Sequence, residues 1–280
     1  MSKEVVNVGI VGAGFTGKQI AAWAALFDFR IHIYDLSSEI LEDAKKYING
    51  VLKRKKKEKA IDQICYYDNL SNAVAGVDLV IEAVPENLEL KKEVFNQIDQ
   101  FAPEHAIIAT NSSSFPVSKI EVAVQRKDKV LNIHFYPPIP SRPMADIARG
   151  NETSDDTFNT GKKWLENIDV TPLALKKECL GFVFNRLWRA VKKECIEIWA
   201  GGYADPTDVD KAWKIFTGMN MGPYTTMDGI GLDVVLAVEE SYYNESGDPK
   251  DKPPKVFKEM VENGDLGLKT GKGFYTWKKK

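Results

Sequence analysis

The stretch VGIVGAGFTGKQIAAWA, Val8 to Ala24, decides the fold predicted for this chain. It begins with an apolar run typical of a buried strand, passes through Gly12, Gly14 and Gly17 in a GxGxxG pattern, and ends in helix-forming residues. The first glycine suits a tight turn, the second lets a pyrophosphate approach the backbone, and the third allows the helix to pack closely on the strand. The pattern predicts a helix N-terminus that binds phosphate.

An acidic residue follows at the distance that a dinucleotide-binding turn requires. Asp35 ends the predicted second strand, where its carboxylate can accept both hydroxyls of a ribose. Neither Leu36 nor Ser37 offers a positive charge for a 2′-phosphate, so the sequence favours NAD over NADP as cofactor. Phe15 and Thr16, inside the turn, are predicted to contact the cofactor too. The alternative is a glycine-rich turn that binds no ligand.

The first part of the chain alternates apolar, β-branched runs with helical patterns, which predicts a Rossmann-type, doubly wound parallel sheet. The predicted strands are Val5–Val11, Arg30–Asp35, Val77–Val84, Ala106–Thr110, Val130–Phe135 and the segment VTPLAL at 170–175. The predicted helices are Thr16–Phe27, Ser38–Lys59, Leu88–Phe101, Pro116–Val124 and one capped at Ser154. Ligands of such sheets bind at the carboxyl ends of the strands.

Beyond residue 180 the sequence predicts only helices. Apolar residues recur at helical spacing from Phe182 to Trp199, and Asp205 followed by proline is a typical helix start. We therefore predict a Rossmann domain over residues 1–180 and a smaller all-α domain over residues 181–280.

Composition excludes several classes of function. Lys and Arg number 38 against 40 Asp and Glu, which does not favour a nucleic-acid partner. Cys65, Cys179 and Cys195 are scattered without a CxxC pattern, so we expect neither a disulfide framework nor a metal site, and a reduced, cytoplasmic compartment. No apolar run approaches the roughly 20 residues needed to cross a membrane, and the N-terminal apolar run is interpreted as a strand.

A possible reaction centre lies in NIHFYPPIPSRPMADIARG, Asn132 to Gly150. His134 ends a predicted strand and Asp146 follows twelve residues later, so they could form a catalytic pair. The alternative is a structural strand-end histidine and a turn aspartate. The segments TNSSSFP and GFVFNR also carry polar side chains at or beyond strand ends, although serines before a proline often only cap a helix.

Taken together, these motifs resemble the 3-hydroxyacyl-CoA dehydrogenase family from about Val6 to Trp277. The matching segments are the glycine turn, Asp35, ENLELK at 86–91, Asn111–Ser114, Gly181–Arg186 and GLKTGKGFYTW at 267–277. The resemblance implies that His134 is the general base and that Asp146 orients it. It implies that Ser113 and Asn185 bind the reacting oxygen. It also implies cofactor contacts for Glu86, Lys91, Ser113 and Lys269.

The chain departs from this family at three places. The family usually has glutamate where Asp146 stands, so this carboxylate is one methylene shorter. The family's F-F-N-P after the histidine is Phe135-Tyr136-Pro137-Pro138 here, which removes an asparagine that contacts the cofactor. The helical hairpin that helps to hold CoA is expected to be shortened between Lys59 and Val77.

The resemblance implies an NAD-dependent dehydrogenase of a short-chain (3S)-hydroxyacyl-CoA, active in fatty acid metabolism. A CoA-free 3-hydroxy acid of the carnitine or L-gulonate type is an alternative substrate, and a non-catalytic, crystallin-like or NAD-sensing protein is another alternative. The basic run KRKKKEK at 53–59 suits either CoA phosphates or a solvated helix face. A homodimer through the C-terminal domain is expected, with Trp188, Trp199 and Trp213 compatible with an interface or with a core.

Overall fold

The computed structural model describes residues 5–278 of the 280-residue chain. The chain divides into two compact units, one running up to Val183 and the other starting at Phe184. The first unit contains one eight-stranded sheet with helices. Within the described part of the second unit there are helices, loops and isolated bridges at Gly267–Lys272 and Lys272–Thr276. An α/β unit followed by an all-α unit confirms the predicted fold class.

The sheet of the first unit is parallel at every neighbouring pair except one. Its strands are β1 (Asn7–Val11), β2 (Arg30–Tyr34), β3 (Ile64–Tyr67), β4 (Leu79–Glu82), β5 (Ile107–Thr110), β6 (Val130–Phe135), β7 (Met144–Arg149) and β8 (Thr171–Ala174). They lie in the order β3-β2-β1-β4-β5-β6-β7-β8, and only β6 and β7 are antiparallel. Because β1 lies between β2 and β4, the chain order reverses there, and such a reversal forms a ligand crevice at the carboxyl ends.

The helices of the first unit pack against two separate cores. They are α1 (Gly17–Ala25), α2 (Ser38–Arg54), α3 (Leu70–Val74), α4 (Leu88–Phe101) and α5 (Asp155–Asn167). Successive strand residues point to opposite faces of a sheet. On β1, Ile10 therefore enters the core that includes α1, α2 and α5 residues, whereas Val11 enters the core that includes α3 and α4 residues. Helix α5 begins as predicted, with the Ser154 hydroxyl accepting a hydrogen bond from Thr157 N at 3.1 Å.

The second unit has its own core. Its helices are α6 (Phe184–Ala200), α7 (Pro206–Thr217), α8 (Pro223–Ile230), α9 (Leu232–Ser246) and α10 (Lys255–Glu262). Tyr224 and Phe257 are fully buried there, and both pack against Phe274. As predicted, Asp205 directly precedes α7, and Pro206 is the first residue of that helix. No helix in residues 5–278 is long and apolar enough to span a membrane.

The prediction of a helix over Pro116–Val124 is wrong. The chain forms two short 3₁₀ turns there, Val117–Lys119 and Glu121–Ala123. Hydrogen bonds to distant parts of the chain compete with a continuous helix: Ser118 N donates to the Glu178 carboxylate at 3.0 Å, and the buried Glu121 carboxylate accepts from Asn151 N at 3.0 and 3.1 Å.

The region between α2 and β4 also differs from the prediction. Helix α2 ends at Arg54 rather than at Lys59, and a 3₁₀ turn follows at Glu58–Gln63. The segment expected to be a shortened hairpin instead contains β3 and α3. The basic run at 53–59 is exposed along its length. The sequence pattern also does not predict β7, and Asp146 therefore lies on a strand rather than in a turn.

Candidate active site

The glycine turn after β1 has the conformation that its pattern predicts. Gly12 has φ +101°, and a Cβ there would lie 2.7 Å from the Ala83 carbonyl oxygen. A Cβ on Gly17 would lie 1.8 Å from the Gly12 oxygen, whereas one on Gly14 would have no atom within 4 Å. The Asp35 carboxylate accepts the Ala13 N–H at 2.9 Å, which ties the turn to the end of β2. Gly12 and Gly17 are thus required for packing, and Gly14 faces open space.

A cavity of about 900 Å³ lies within the first unit, at the carboxyl ends of its central strands. Its lining includes most of the predicted site residues of this unit, namely Gly12, Gly14, Phe15, Thr16, Asp35, Glu86, Lys91, Ser113 and His134. Gly17 and Asp146 are buried and do not line the cavity, but each contacts a residue that does: Gly17 packs on Gly12, and Asp146 pairs with His134. Asn185 and Lys269 belong to the second unit, where Lys269 pairs with the Asp233 carboxylate. Their roles stay predictions.

His134 and Asp146 form a buried pair across two strands. They are register partners on antiparallel β6 and β7, and His134 Nδ1 lies 3.2 Å from Asp146 Oδ2. An ionised carboxylate only accepts hydrogen bonds, so a neutral imidazole in this place carries its proton on Nδ1 and has Nε2 as its acceptor. The structure thus brings together the two residues of the predicted pair despite the shorter aspartate.

Two aromatic residues that the sequence reasoning missed surround this pair. The Tyr136 hydroxyl donates to Asp146 Oδ2, and the Tyr136 ring lies edge-on to His134 at 4.7 Å. Phe182 stacks on the His134 ring, with ring centroids 5.1 Å apart. Val183 N donates to Asp146 Oδ1 at 3.4 Å. Tyr136 is two residues from His134 in the sequence, and this spacing was the available signal.

The turn that carries Ser113 is held by hydrogen bonds to the Glu86 carboxylate. Glu86 accepts hydrogen bonds from the Ser112 hydroxyl at 2.6 Å and from Ser114 N at 2.9 Å. Burial alone would raise the pKa of Glu86, but Lys91, the Ser112 hydroxyl and the Ser114 N–H together hold it below its usual value. Ser113 itself is exposed to the cavity. Its hydroxyl is therefore available to a ligand.

Lys91 joins this network to the sheet. Its Nζ lies 2.7 Å from Glu82 Oε1 and 3.2 Å from Glu86 Oε2, and Lys91 and Glu82 are both fully buried. Burial raises the pKa of Glu82, although Lys91, Thr110 and the Val84 N–H act in the opposite direction. Sequence reasoning missed Glu82, whose signal was a carboxylate at the end of the apolar strand β4.

Two asparagines join the Ser113 turn to the strand of His134. Asn111 Oδ1 accepts the Phe135 N–H at 2.9 Å, and Asn132 Nδ2 donates to the carbonyls of Thr110 and Ser112 at 3.1 Å each. These bonds fix the turn after β5 against β6. The predicted serine and histidine are therefore held on two strands that are tied together.

The residues of the cavity fit an NAD cofactor. The space beside Gly14 can accept a pyrophosphate at the N-terminus of α1, whose first turn carries no acidic residue. Asp35 lines the cavity at the end of β2, where a ribose would be expected, and the exposed Leu36 beside it has no charge. Within residues 5–278, no cluster of side chains suited to holding a metal ion is found.

Known proteins resemble this chain over nearly its whole length. Residues 7–179 match the model of the 3-hydroxyacyl-CoA dehydrogenase NAD binding domain, and residues 181–277 match that of the family's C-terminal domain. A protein of Deinococcus radiodurans described as a probable 3-hydroxybutyryl-CoA dehydrogenase is 34% identical over 280 residues, which cover 97% of this chain and 100% of that protein.

Solved structures give the same result. The (S)-3-hydroxybutyryl-CoA dehydrogenase of Ralstonia eutropha matches with a TM-score of 0.92 and 33% identity, covering 99% of this chain and 100% of that one. A diketoreductase that acts on dicarbonyl compounds matches with a TM-score of 0.87 and 32% identity, covering 98% of this chain and 100% of that one. The glycine turn, the His134–Asp146 pair and these matches lead to one conclusion: the chain belongs to the 3-hydroxyacyl-CoA dehydrogenase family of NAD-dependent oxidoreductases.

Proposed function

We propose that this protein oxidises the 3-hydroxyl group of a short-chain (3S)-hydroxyacyl-CoA to the 3-oxo group, with NAD as hydride acceptor, and catalyses the reverse reduction. The observation that carries the proposal is the His134 Nδ1–Asp146 pair at 3.2 Å, beside a cavity that also contains the glycine turn and Ser113. The similarity to two 3-hydroxybutyryl-CoA dehydrogenases supports the choice of substrate.

The residues divide the chemistry between them. His134 takes the hydroxyl proton on Nε2 in the oxidation and returns it in the reduction, because an imidazole gains and loses a proton near neutral pH. Asp146 accepts the Nδ1 proton, fixes the tautomer and stabilises the imidazolium. Ser113 and Asn185 hydrogen-bond the reacting oxygen and align its carbon. Bound NAD supplies the acceptor for the hydride that leaves C3.

The cofactor would be held by the first unit. Gly14, Phe15 and Thr16 bind the pyrophosphate, Asp35 binds a ribose, and Glu86 and Lys91 lie on the nicotinamide side. Lys91 acts there through Glu86, since its ammonium group is already paired with two carboxylates. Lys269 of the second unit is proposed as a further cofactor contact.

A CoA-free 3-hydroxy acid or a dicarbonyl compound is a second candidate substrate. It is favoured by the similarity to the diketoreductase and by the short segment between Lys59 and Val77, where the hairpin that helps to hold CoA is expected to be shortened. The exposed basic run at 53–59 would then be only a solvated surface.

Steady-state assays separate these candidates. We expect NADH consumption with acetoacetyl-CoA and far less with free acetoacetate. NADH production should be absent with L-carnitine, L-gulonate and free 3-hydroxybutyrate. Turnover of the free acids alone would contradict the CoA proposal, and NADH binding without turnover of any of them would favour a non-catalytic protein.

We also propose a homodimer through the second unit. Tyr203, Ile215 and Phe216 expose 82%, 76% and 93% of their surface, which is unusual for side chains of their size and apolar character. The predicted Trp188, Trp199 and Trp213 are half-buried, and Trp199 packs on Phe274. Sedimentation analysis should give a dimer for the native chain and a monomer for Phe216→Lys; a monomeric native chain would refute the proposal.

A cytoplasmic location and a role in fatty acid metabolism complete the proposal. The first is supported by three cysteines that form no disulfide with one another. The second follows from the acyl thioester substrate. Fractionation of the source cells and growth on fatty acids after gene deletion would test them.

A further inference from the structure

The Asp146 carboxylate is completely buried and accepts more than one hydrogen bond. Its Oδ2 atom accepts both from His134 Nδ1, at 3.2 Å, and from the Tyr136 hydroxyl. Its Oδ1 atom accepts the Val183 N–H, at 3.4 Å. The bonds from His134 and Val183 are at the long end of the normal range or beyond it, so neither alone holds the carboxylate firmly, and the tyrosine hydroxyl adds a further donor.

Tyr136 lies at the end of β6, where its hydroxyl can reach the Asp146 carboxylate. His134 is on β6 and Tyr136 directly follows the last residue of that strand, and both side chains contact Asp146. Asp146 lies opposite His134 in the antiparallel pair. The two rings make an edge-on contact at 4.7 Å, and both side chains are more than nine-tenths buried. His134, Tyr136 and Asp146 therefore form a cluster of contacting side chains.

Two of the departures from the family pattern meet in this cluster. Position 146 is a shorter carboxylate than the family's glutamate, and position 136 is a tyrosine where the family's F-F-N-P has phenylalanine. An aspartate in place of a glutamate leaves space between the carboxylate and its surroundings. A hydroxyl on the neighbouring ring occupies such a space and adds a donor.

We propose that Tyr136 is a positioning residue whose hydroxyl fixes the Asp146 carboxylate against His134, and so compensates for the shorter acid. This inference rests on the proposed role of His134 as the general base. Without the hydroxyl, the Asp146 carboxylate can rotate about its Cβ–Cγ bond, and the imidazole loses its fixed orientation. With the hydroxyl present, a longer glutamate at 146 meets the tyrosine oxygen and cannot adopt the same place.

The test is a mutant cycle in the full-length protein, assayed with acetoacetyl-CoA and NADH. Tyr136→Phe keeps the ring and should lower kcat roughly tenfold, the loss expected for one buried hydrogen bond, with the KM for NADH unchanged. Asp146→Glu should lower kcat further. The double variant Tyr136→Phe/Asp146→Glu should regain activity over Asp146→Glu alone, because the longer acid then has room.

The matched control removes a hydroxyl elsewhere. Tyr66 is on the edge strand β3, and its hydroxyl is buried without a hydrogen-bond partner in the described residues. Tyr66→Phe should leave kcat unchanged. Full activity of Tyr136→Phe, or a double variant whose losses simply multiply, would overturn the proposal, because a packing role would give such results.

A second measurement does not depend on turnover. The chain has three histidines, so the His134 ring signals can be assigned by their absence in His134→Gln. In ¹⁵N-labelled protein, the Nδ1 proton of His134 should exchange slowly with solvent in the native chain and faster in Tyr136→Phe. Equal exchange in both would refute the role of Tyr136 even in folded, inactive protein. Loss of every activity in the native chain, with this difference intact, would refute only the proposed function.

Discussion

Replacement of Lys91 by methionine removes a single charge from the network beneath the cavity. The Lys91 ammonium lies 2.7 Å from Glu82 Oε1, 3.2 Å from Glu86 Oε2 and 3.2 Å from the Val84 carbonyl oxygen. Lys91 is 1% exposed and Glu82 0%. Methionine has nearly the same length and no charge, so Lys91→Met leaves the packing intact and the Glu82 carboxylate without its counter-ion.

The structure gives the size of the effect. Breaking a buried ion pair by removing one partner costs about 3–5 kcal/mol. Glu82 keeps the Val84 N–H at 2.8 Å and the Thr110 hydroxyl at 2.7 Å, so the lower end of that range applies. A loss of about 3 kcal/mol lowers the Tm of a unit of this size by roughly 6–12 °C. Urea denaturation followed by circular dichroism measures the free energy of unfolding directly.

The variant should also become more sensitive to pH. Burial already raises the pKa of Glu82, and Lys91 opposes this shift, so its loss raises that pKa further. A carboxyl group whose pKa is higher in the folded state stabilises the fold below its unfolded pKa and loses this contribution as pH rises through the folded value. The free energy of unfolding of Lys91→Met should therefore fall, relative to the native chain, as pH rises from the ordinary range of glutamic acid towards neutrality.

Lys92→Met is the matched control on the same helix. Lys92 pairs with Glu89 at 2.8 Å, but Glu89 is 79% exposed, and exposed pairs contribute about 0–1 kcal/mol. Equal stabilities for Lys91→Met and Lys92→Met at neutral pH would refute the reasoning, because burial would then have no consequence for the pair.

Two other perturbations test the cofactor turn and the catalytic pair. Gly14→Ala should fold normally and weaken NADH binding, since its Cβ enters open space beside the turn; Gly17→Ala should lower the Tm, since its Cβ would lie 1.8 Å from a backbone oxygen. Fluorescence titration and thermal unfolding of both variants check this, and the reverse pattern would contradict it. Asp146→Asn should lower kcat by about 10²–10⁴-fold with NADH affinity unchanged, because an amide can hold His134 in the wrong tautomer; stopped-flow turnover that matches the native chain would exclude this role.

Local patterns predicted the parts of the fold that local interactions determine. The GxGxxG turn, Asp35 at the end of β2 and the helix Leu88–Phe101 each depend on residues close in sequence. Strand β7 follows several prolines and is fixed by antiparallel pairing with β6, which the pattern of its own residues does not reveal. The failure of the predicted helix Pro116–Val124 has the same cause, since distant groups bind its backbone and its buried Glu121.

In the candidate site, too, some residues could be predicted from the sequence and others could not. The residues alone left the His134–Asp146 pair open, and the resemblance to the family selected that pair together with Ser113. Glu82 and Tyr136 could not be found this way, because their importance lies in contacts with Lys91 and Asp146, which only the folded chain brings together.

His134→Gln tests the central claim most directly, when NADH affinity and turnover of acetoacetyl-CoA are measured on the same preparation. Glutamine retains a donor for Asp146 but cannot take up a proton, so turnover should fall by about 10²–10⁴-fold while the Kd for NADH stays that of the native chain. Retention of most of the activity would remove His134 from the chemistry and contradict the account.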